Sequence, residues 1–323
     1  MSTAEPAAPP PATSSRWHWV AGAVTLIVFG LAIWVLTREL SAISLRNLLD
    51  RVNALSSSAL AWSFGLTVAS YLVLTLYDVL ALRHIGKRVS YPHVAFASFV
   101  GYSFSQNVGL GFVTGGSVRF RIYSSAGLLA NEIAEVVAYC TFVFSFGIIV
   151  AIGITLVLDP KDARLLLGLP PGVLVGIGAF ILGTAVAYLA WTAFRPGPLK
   201  LFSLVLRVPG FWTNLAGIGL ALIDLTLAAS VLYVLLPPDV VVSFPLFLGA
   251  YCLAIAASVL SHVPGGIGVF EAVMIVSMPG VPVDALVSAI IIYRIVYLIL
   301  PLAFAALLMA GYEVGRLFNN GRP

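Results

Sequence analysis

Eight ionisable side chains stand in apolar surroundings: Asp78, Arg119, Arg121, Glu132, Glu135, Asp224, Glu271 and Arg294. At bilayer depth such a group costs at least about 2.5–3.5 kcal/mol on insertion scales, so each needs a partner or a role. Arg294 lies in SAIIIYRIVYLILP (Ser288 to Pro301), with long apolar runs on both sides; Glu271 is its expected partner. Arg119 and Arg121 can either pair with Asp78 or hold a lipid phosphate through bidentate hydrogen bonds. Asp78 and Asp224 read equally as members of structural ion pairs or as functional groups. Glu132 and Glu135 follow Asn131 in the first turns of a span, where acids complement the helix dipole. His262, beside Pro264 and Gly265, is expected to line a break in the chain, with Tyr293 as a supporting residue.

The excluded chemistries are as informative. His18, His84, His93 and His262 form no HExxH or i, i+4 pair, so no metal site is expected. No phosphate-cradling glycine loop, dinucleotide fingerprint or nucleophile elbow occurs, and no nucleophile–base pairing emerges. The expectation is therefore a protein that is not an enzyme, has no cofactor and binds no nucleic acid. Cys140 and Cys252 sit inside apolar segments and read as small core hydrophobes.

Two glycine doublets flank these charges. Gly115–Gly116 lies in VTGGSVRFR (Val113 to Arg121) and Gly265–Gly266 in VPGGIGVFE (Val263 to Glu271), 150 positions apart (265 − 115). Phe120 and Phe270 share that separation, and Asp78 and Asp224 stand 146 apart (224 − 78). This spacing predicts two repeats, about 57–158 and 211–312, inverted relative to each other. Inverted repeats with interrupted hydrophobic segments point to a midplane binding site, and glycine permits the interruption. Close helix packing is the competing use of such small residues.

The elements that must carry these groups are membrane spans. Hydrophobic residues make up 60% of the 323 positions and charged residues 9%, too little charge to cover a soluble protein of this size. Mean hydropathy is +1.05. Apolar runs of about 20 residues, each long enough for one crossing, predict full spans over 19–37, 57–82, 133–158, 172–194, 211–236 and 285–312. Two longer segments, 91–128 and 243–281, are broken by glycine and predict re-entrant or discontinuous helices that enter and leave on one side. The stretch 38–51 reads as an interfacial amphipathic helix. Residues 1–15 read as a disordered cytoplasmic tail, 16–318 as a single all-α transmembrane domain, and 319–323 as a second cytoplasmic tail. Lys and Arg in the short loops favour cytoplasmic N- and C-termini, although Arg38, Arg46 and Arg51 fall on the outer side.

The segment from Tyr77 to Leu128, together with SHVPGGIGVFEAV (Ser261 to Val273) and AIIIYRIVYLILPL (Ala289 to Leu302), resembles a known family. It is the transmembrane region shared by lysylphosphatidylglycerol synthase/flippase proteins (MprF) and the shorter YbhN-like inner-membrane proteins. The resemblance implies a lipid-translocating module of the bacterial inner membrane. In the longer members this module flips aminoacylated phosphatidylglycerol, which a separate cytoplasmic domain makes from aminoacyl-tRNA. The chain, closing at Pro323, is expected to lack that domain and to match the short members. Its expected partners are membrane phospholipids, joined by a separate lipid-modifying enzyme or further copies of itself. The expected headgroup, anionic or aminoacylated, would meet Gly115, Gly116, Arg119, Arg121, Gly265, Gly266, Glu271 and Arg294. Two readings compete: a lipid flippase, and a non-transporting lipid-binding scaffold for an envelope lipid enzyme.

Overall fold

The computed structural model describes residues 56–108, 111–194, 198–201, 204–238 and 240–320. The expected first span, the amphipathic stretch, the N-terminal tail and positions 321–323 lie outside the described residues. The chain runs through α1 (Ser57–His84), α2 (Tyr91–Val108), α3 (Gly111–Ser125), α4 (Ala130–Leu158), α5 (Pro160–Leu167) and α6 (Pro171–Phe194). A two-stranded antiparallel pair follows, β1 (Pro198–Leu201) with β2 (Leu204–Arg207). Then come α7 (Phe211–Tyr233), α8 (Phe244–Ser261), a 3-10 turn (Pro264–Gly266), α9 (Val269–Ser277) and α10 (Val283–Tyr293). A π-helical segment (Arg294–Ile299) leads without interruption into α11 (Leu300–Asn320).

Among the described residues, six helices are long and apolar enough to cross a membrane: α1, α4, α6, α7, α8 and the composite α10–α11. The candidate spans are all helical, and the chain is a polytopic membrane protein. Helix α8 is a departure from the sequence reading, which folded it into a segment confined to one side. Its 18 residues extend about 27 Å at 1.5 Å per residue, close to the hydrocarbon thickness.

Helix α1 shows the inverted amphipathicity that a bilayer demands. Trp62, Phe64, Val68, Leu72 and Leu76 are exposed, while Ser63, Ser70, Tyr77 and Asp78 are buried. Apolar residues four apart face the lipid, and polar ones turn inward where protein partners exist. Helix α6 is the peripheral span, with Phe180, Val186 and Phe194 outward. Where spans end, local sequence supplies the stops: the Ser56 side chain accepts the Ala59 N–H at 3.2 Å, and Gly168 closes α5 in the left-handed conformation at φ +65°.

Both glycine-containing segments form helical hairpins, α2–α3 and α8–α9, but the first does not turn where the sequence places its break. Gly115 and Gly116 lie inside α3, and the helices of that hairpin end and begin at Val108 and Gly111. Gly115 serves close packing instead. A Cβ there would stand 3.0 Å from the Gly101 carbonyl oxygen on α2 and 3.2 Å from Arg119 Nη1. In the second hairpin the backbone does leave the helix: Gly265, Gly266 and Gly268 all have φ between +62° and +81°.

Helix contacts elsewhere are tight enough to be broken by one side chain. A Cβ on Gly147 of α4 would approach Ala221 Cβ on α7 to 2.3 Å, whereas one on Gly183 of α6 meets nothing within 4 Å. Gly147→Val should destabilise the solubilised protein by about 1–3 kcal/mol through overpacking. Gly183→Ala should be neutral or slightly stabilising by helix propensity. Thermal unfolding in detergent, followed on both variants, checks the contrast.

Candidate functional site

Two buried charge pairs sit on the two hairpins. On the first, Arg119 of α3 meets Asp78 of α1 in a bidentate fork, with Nε donating to Oδ2 and Nη2 to Oδ1, both at 2.9 Å. Asp78 is fully buried and Arg119 is 4% exposed. Tyr123 donates its hydroxyl to Asp78 Oδ2 at 2.7 Å, and the Cys140 thiol lies 3.6 Å from Oδ1. The guanidinium carbon stands 4.4 Å from the Tyr102 ring centroid, a cation–π contact that desolvation strengthens.

On the second, Arg294 meets Glu271, the pairing expected from the sequence. Both Nε and Nη2 reach Glu271 Oε1, at 2.7 and 2.6 Å, and Nη1 donates to the Gly265 carbonyl oxygen at 3.0 Å. The other carboxylate oxygen accepts the Gly268 N–H at 2.7 Å. The guanidinium therefore pins the non-helical turn at one end while its carboxylate caps α9 at the other. The arginine opens the π-helical segment, where the wider turn disturbs the regular backbone pairing. Side chains serve carbonyls there: Tyr71 donates to Tyr297 O at 3.2 Å and Asn107 to Leu298 O at 3.3 Å.

A cavity of about 270 Å³ lies between the two pairs. Arg119 with Tyr102 and Gln106 line one side; Arg294, Gly265 and Gly266 line another; Asp224, Tyr293 and His262 also face it. His262 takes the unusual left-handed conformation at φ +56° as it ends α8. Other expected site residues lie elsewhere. Arg121 forks onto Glu313 of α11 at 2.7 and 2.6 Å in a partly exposed pair. Glu132 caps α4 through the Leu129 N–H at 2.9 Å and pairs with Lys87 at 2.8 Å. Glu135, half-buried one turn later, is absent from the lining. Gly115 and Gly116 also stay outside it. Among the described residues, no group of three or more His, Cys, Asp or Glu could hold a metal ion.

Sequence reasoning missed Glu313, Tyr102, Tyr123, Ser70 and Asn107. Their partners lie 17 to 192 positions away or belong to backbone freed by the π segment, and no local pattern announces either.

The two arginines on α3 should respond differently to removal. Breaking a buried pair from one side leaves an uncompensated charge, costing about 3–5 kcal/mol, whereas a partly exposed pair contributes about 1 kcal/mol or less. Arg119→Leu should therefore prevent stable folding or lower the unfolding midpoint sharply, with Asp78→Leu recovering part of the loss. Arg121→Ala should be close to neutral. For the second hairpin, a double-mutant cycle on Arg294→Ala and Glu271→Ala should give a non-additive stability change.

Comparison with known proteins follows the same outline. The model of the lysylphosphatidylglycerol synthase transmembrane region matches residues 19–305. An uncharacterised Synechocystis protein is 34% identical over 293 residues, covering 90% of this chain and 91% of its own length. The inner membrane protein YbhN of Escherichia coli is 26% identical over 304 residues, again covering 91% of its length. A phosphatidylglycerol lysyltransferase of Staphylococcus aureus is 24% identical over 303 residues, but these make up only 34% of that protein. The two charge pairs and the cavity between them thus lie within the matched region, and the chain belongs to the lysylphosphatidylglycerol synthase transmembrane-region family.

Proposed function

We propose that this chain is a lipid-translocating module of a bacterial inner membrane that admits an anionic or aminoacylated phospholipid headgroup to the cavity between its hairpins. The observation that carries the reading is the cavity itself, walled by Arg119 of one hairpin, by the Gly265–Gly266 turn of the other and by Arg294 of the π segment. Backbone that leaves the helix in a membrane protein is tolerated where it lines a cavity or is buried in protein. The second hairpin supplies that kind of wall. Arg294 lines the cavity while paired with Glu271, and a guanidinium is the group whose fork geometry matches phosphate oxygens.

The same reading gives the halves 57–158 and 211–312 opposite orientation and puts both termini in the cytoplasm. The inner-membrane placement and the link to phosphatidylglycerol are supported by the relatives, one named an inner membrane protein and another a phosphatidylglycerol lysyltransferase. A separate lipid-modifying enzyme supplies the lipid. A non-transporting scaffold is the second reading, favoured by the Asp78–Arg119 pair, whose charges are already mutually satisfied.

Reconstitution separates the two. In liposomes containing acyl-chain-labelled fluorescent phosphatidylglycerol, bleaching of the outer leaflet by dithionite should proceed beyond half in the presence of protein and stop near half in empty vesicles. Equal traces would overturn translocation and leave the scaffold. Gly266→Val, which forces a Cβ to within 2.6 Å of Ser258 and strains a φ of +62°, should slow movement at least tenfold.

A further inference from the structure

Of the two aspartates buried within the described spans, Asp78 and Asp224, the second lacks a cationic partner. The carboxylates of Asp78, Glu132, Glu271 and Glu313 each meet an arginine or lysine within 2.9 Å. Asp224, only 3% exposed on the spanning helix α7, meets no cation among the described residues. Its Oδ1 accepts a hydrogen bond from Ser70 at 2.6 Å, and the same Ser70 hydroxyl lies 2.8 Å from the hydroxyl of Tyr297. The Tyr77 hydroxyl stands beside the carboxyl and makes no hydrogen bond of regular geometry. Helix α1 packs along α7, so Ser70 and Tyr77 approach from one neighbour.

The remaining groups around Asp224 are phenols, a thiol, an imidazole and two arginines that are already paired. Tyr71 comes from α1, Tyr251 from α8, Tyr293 from α10 and Tyr297 from the π segment, all phenols. Arg119 and Arg294 share the cavity, and each is held by its own carboxylate. Tyr102, Cys140 and His262 complete the titratable lining. A buried ionised carboxylate without a cation is costly, and proteins relieve the cost by protonation. Intramembrane carboxylates of this kind mark ion pathways and proton relays.

We infer that Asp224 is a proton-binding site whose occupant competes with the ammonium group of a lipid headgroup in the cavity. With the cavity empty, the carboxyl holds its proton and its O–H donates to the otherwise unpartnered Tyr77 hydroxyl oxygen. When a headgroup ammonium enters, the carboxyl releases the proton to cavity water and the ammonium takes its place as counter-ion. One carboxylate serving two cations in turn makes the movement of amine-bearing lipid sensitive to a proton gradient. This rests on the translocation reading for its consequence, though not for the proton site itself.

Two readouts keep these apart. Infrared difference spectra of the purified protein, titrated with pH, should show the carbonyl band of a protonated carboxylic acid that disappears on raising the pH and is missing in Asp224→Asn. In Ser70→Ala, which loses a hydrogen bond to the ionised form, the band should persist about one pH unit higher. In liposomes, an imposed pH difference should change the rate for acyl-labelled phosphatidylethanolamine several-fold while leaving labelled phosphatidylglycerol unaffected, and Asp224→Asn should abolish that response. Absence of a titrating band assignable to Asp224 overturns the proton site whether or not lipid moves. A titrating band with no lipid movement supports the proton site and fails the translocation reading. Lipid movement indifferent to the pH difference, despite a titrating band, overturns the competition.

Discussion

The bilayer interior offers no water, and this constraint organises the rest of the molecule. A charge or a backbone group that leaves regular pairing must be answered by protein. The Asp78 carboxylate is answered by both arms of Arg119, the hydroxyl of Tyr123 and the thiol of Cys140. The carbonyls of the π segment are answered by Asn107 and Tyr71, and the turn at Gly265 by Arg294. Each departure from an ordinary apolar helix therefore brings a specific partner with it, and those partners set which helices touch.

The partners come mostly from the opposite part of the chain. Asn107 and Arg121 of the first hairpin reach the π segment and α11; Ser70 of α1 reaches Asp224 and Tyr297. Aromatic packing reinforces the pattern, with Tyr293 stacked on Tyr297 at 5.1 Å between ring centroids and on Phe270 at 6.1 Å. The cavity lies among these contacts, with Arg119 of the first hairpin, the carboxyl of Asp224 on α7 and Arg294 of the π segment on its walls.

The spans are legible in the sequence because a stretch of apolar residues long enough to cross hydrocarbon has few other uses. The Arg294–Glu271 pair is legible for a related reason: each stands far from any other charge. Glycine is harder to read. The doublet at Gly265–Gly266 turns the chain, whereas Gly115 lets α3 approach Gly101 of α2. The same residue type serves both ends, and the choice is made by the element across from it. Arg121 illustrates a further limit, since its partner Glu313 lies 192 positions later. For Asp78 the sequence left lipid phosphate and carboxylate open as uses of the neighbouring arginines, and only three-dimensional contact separates Arg119 from Arg121.

The ties between the first hairpin and α11 also bear on biosynthesis. Ribosomes deliver a chain from its N-terminus, and early segments generally begin folding before later ones exist. Here the guanidinium of Arg121 and the amide of Asn107 cannot meet Glu313 and Leu298 until those residues have emerged and been inserted. The early helices must therefore wait in the membrane with polar groups still seeking company. Assembly of the first hairpin is completed only by these later segments, which close what the second and third helices left open.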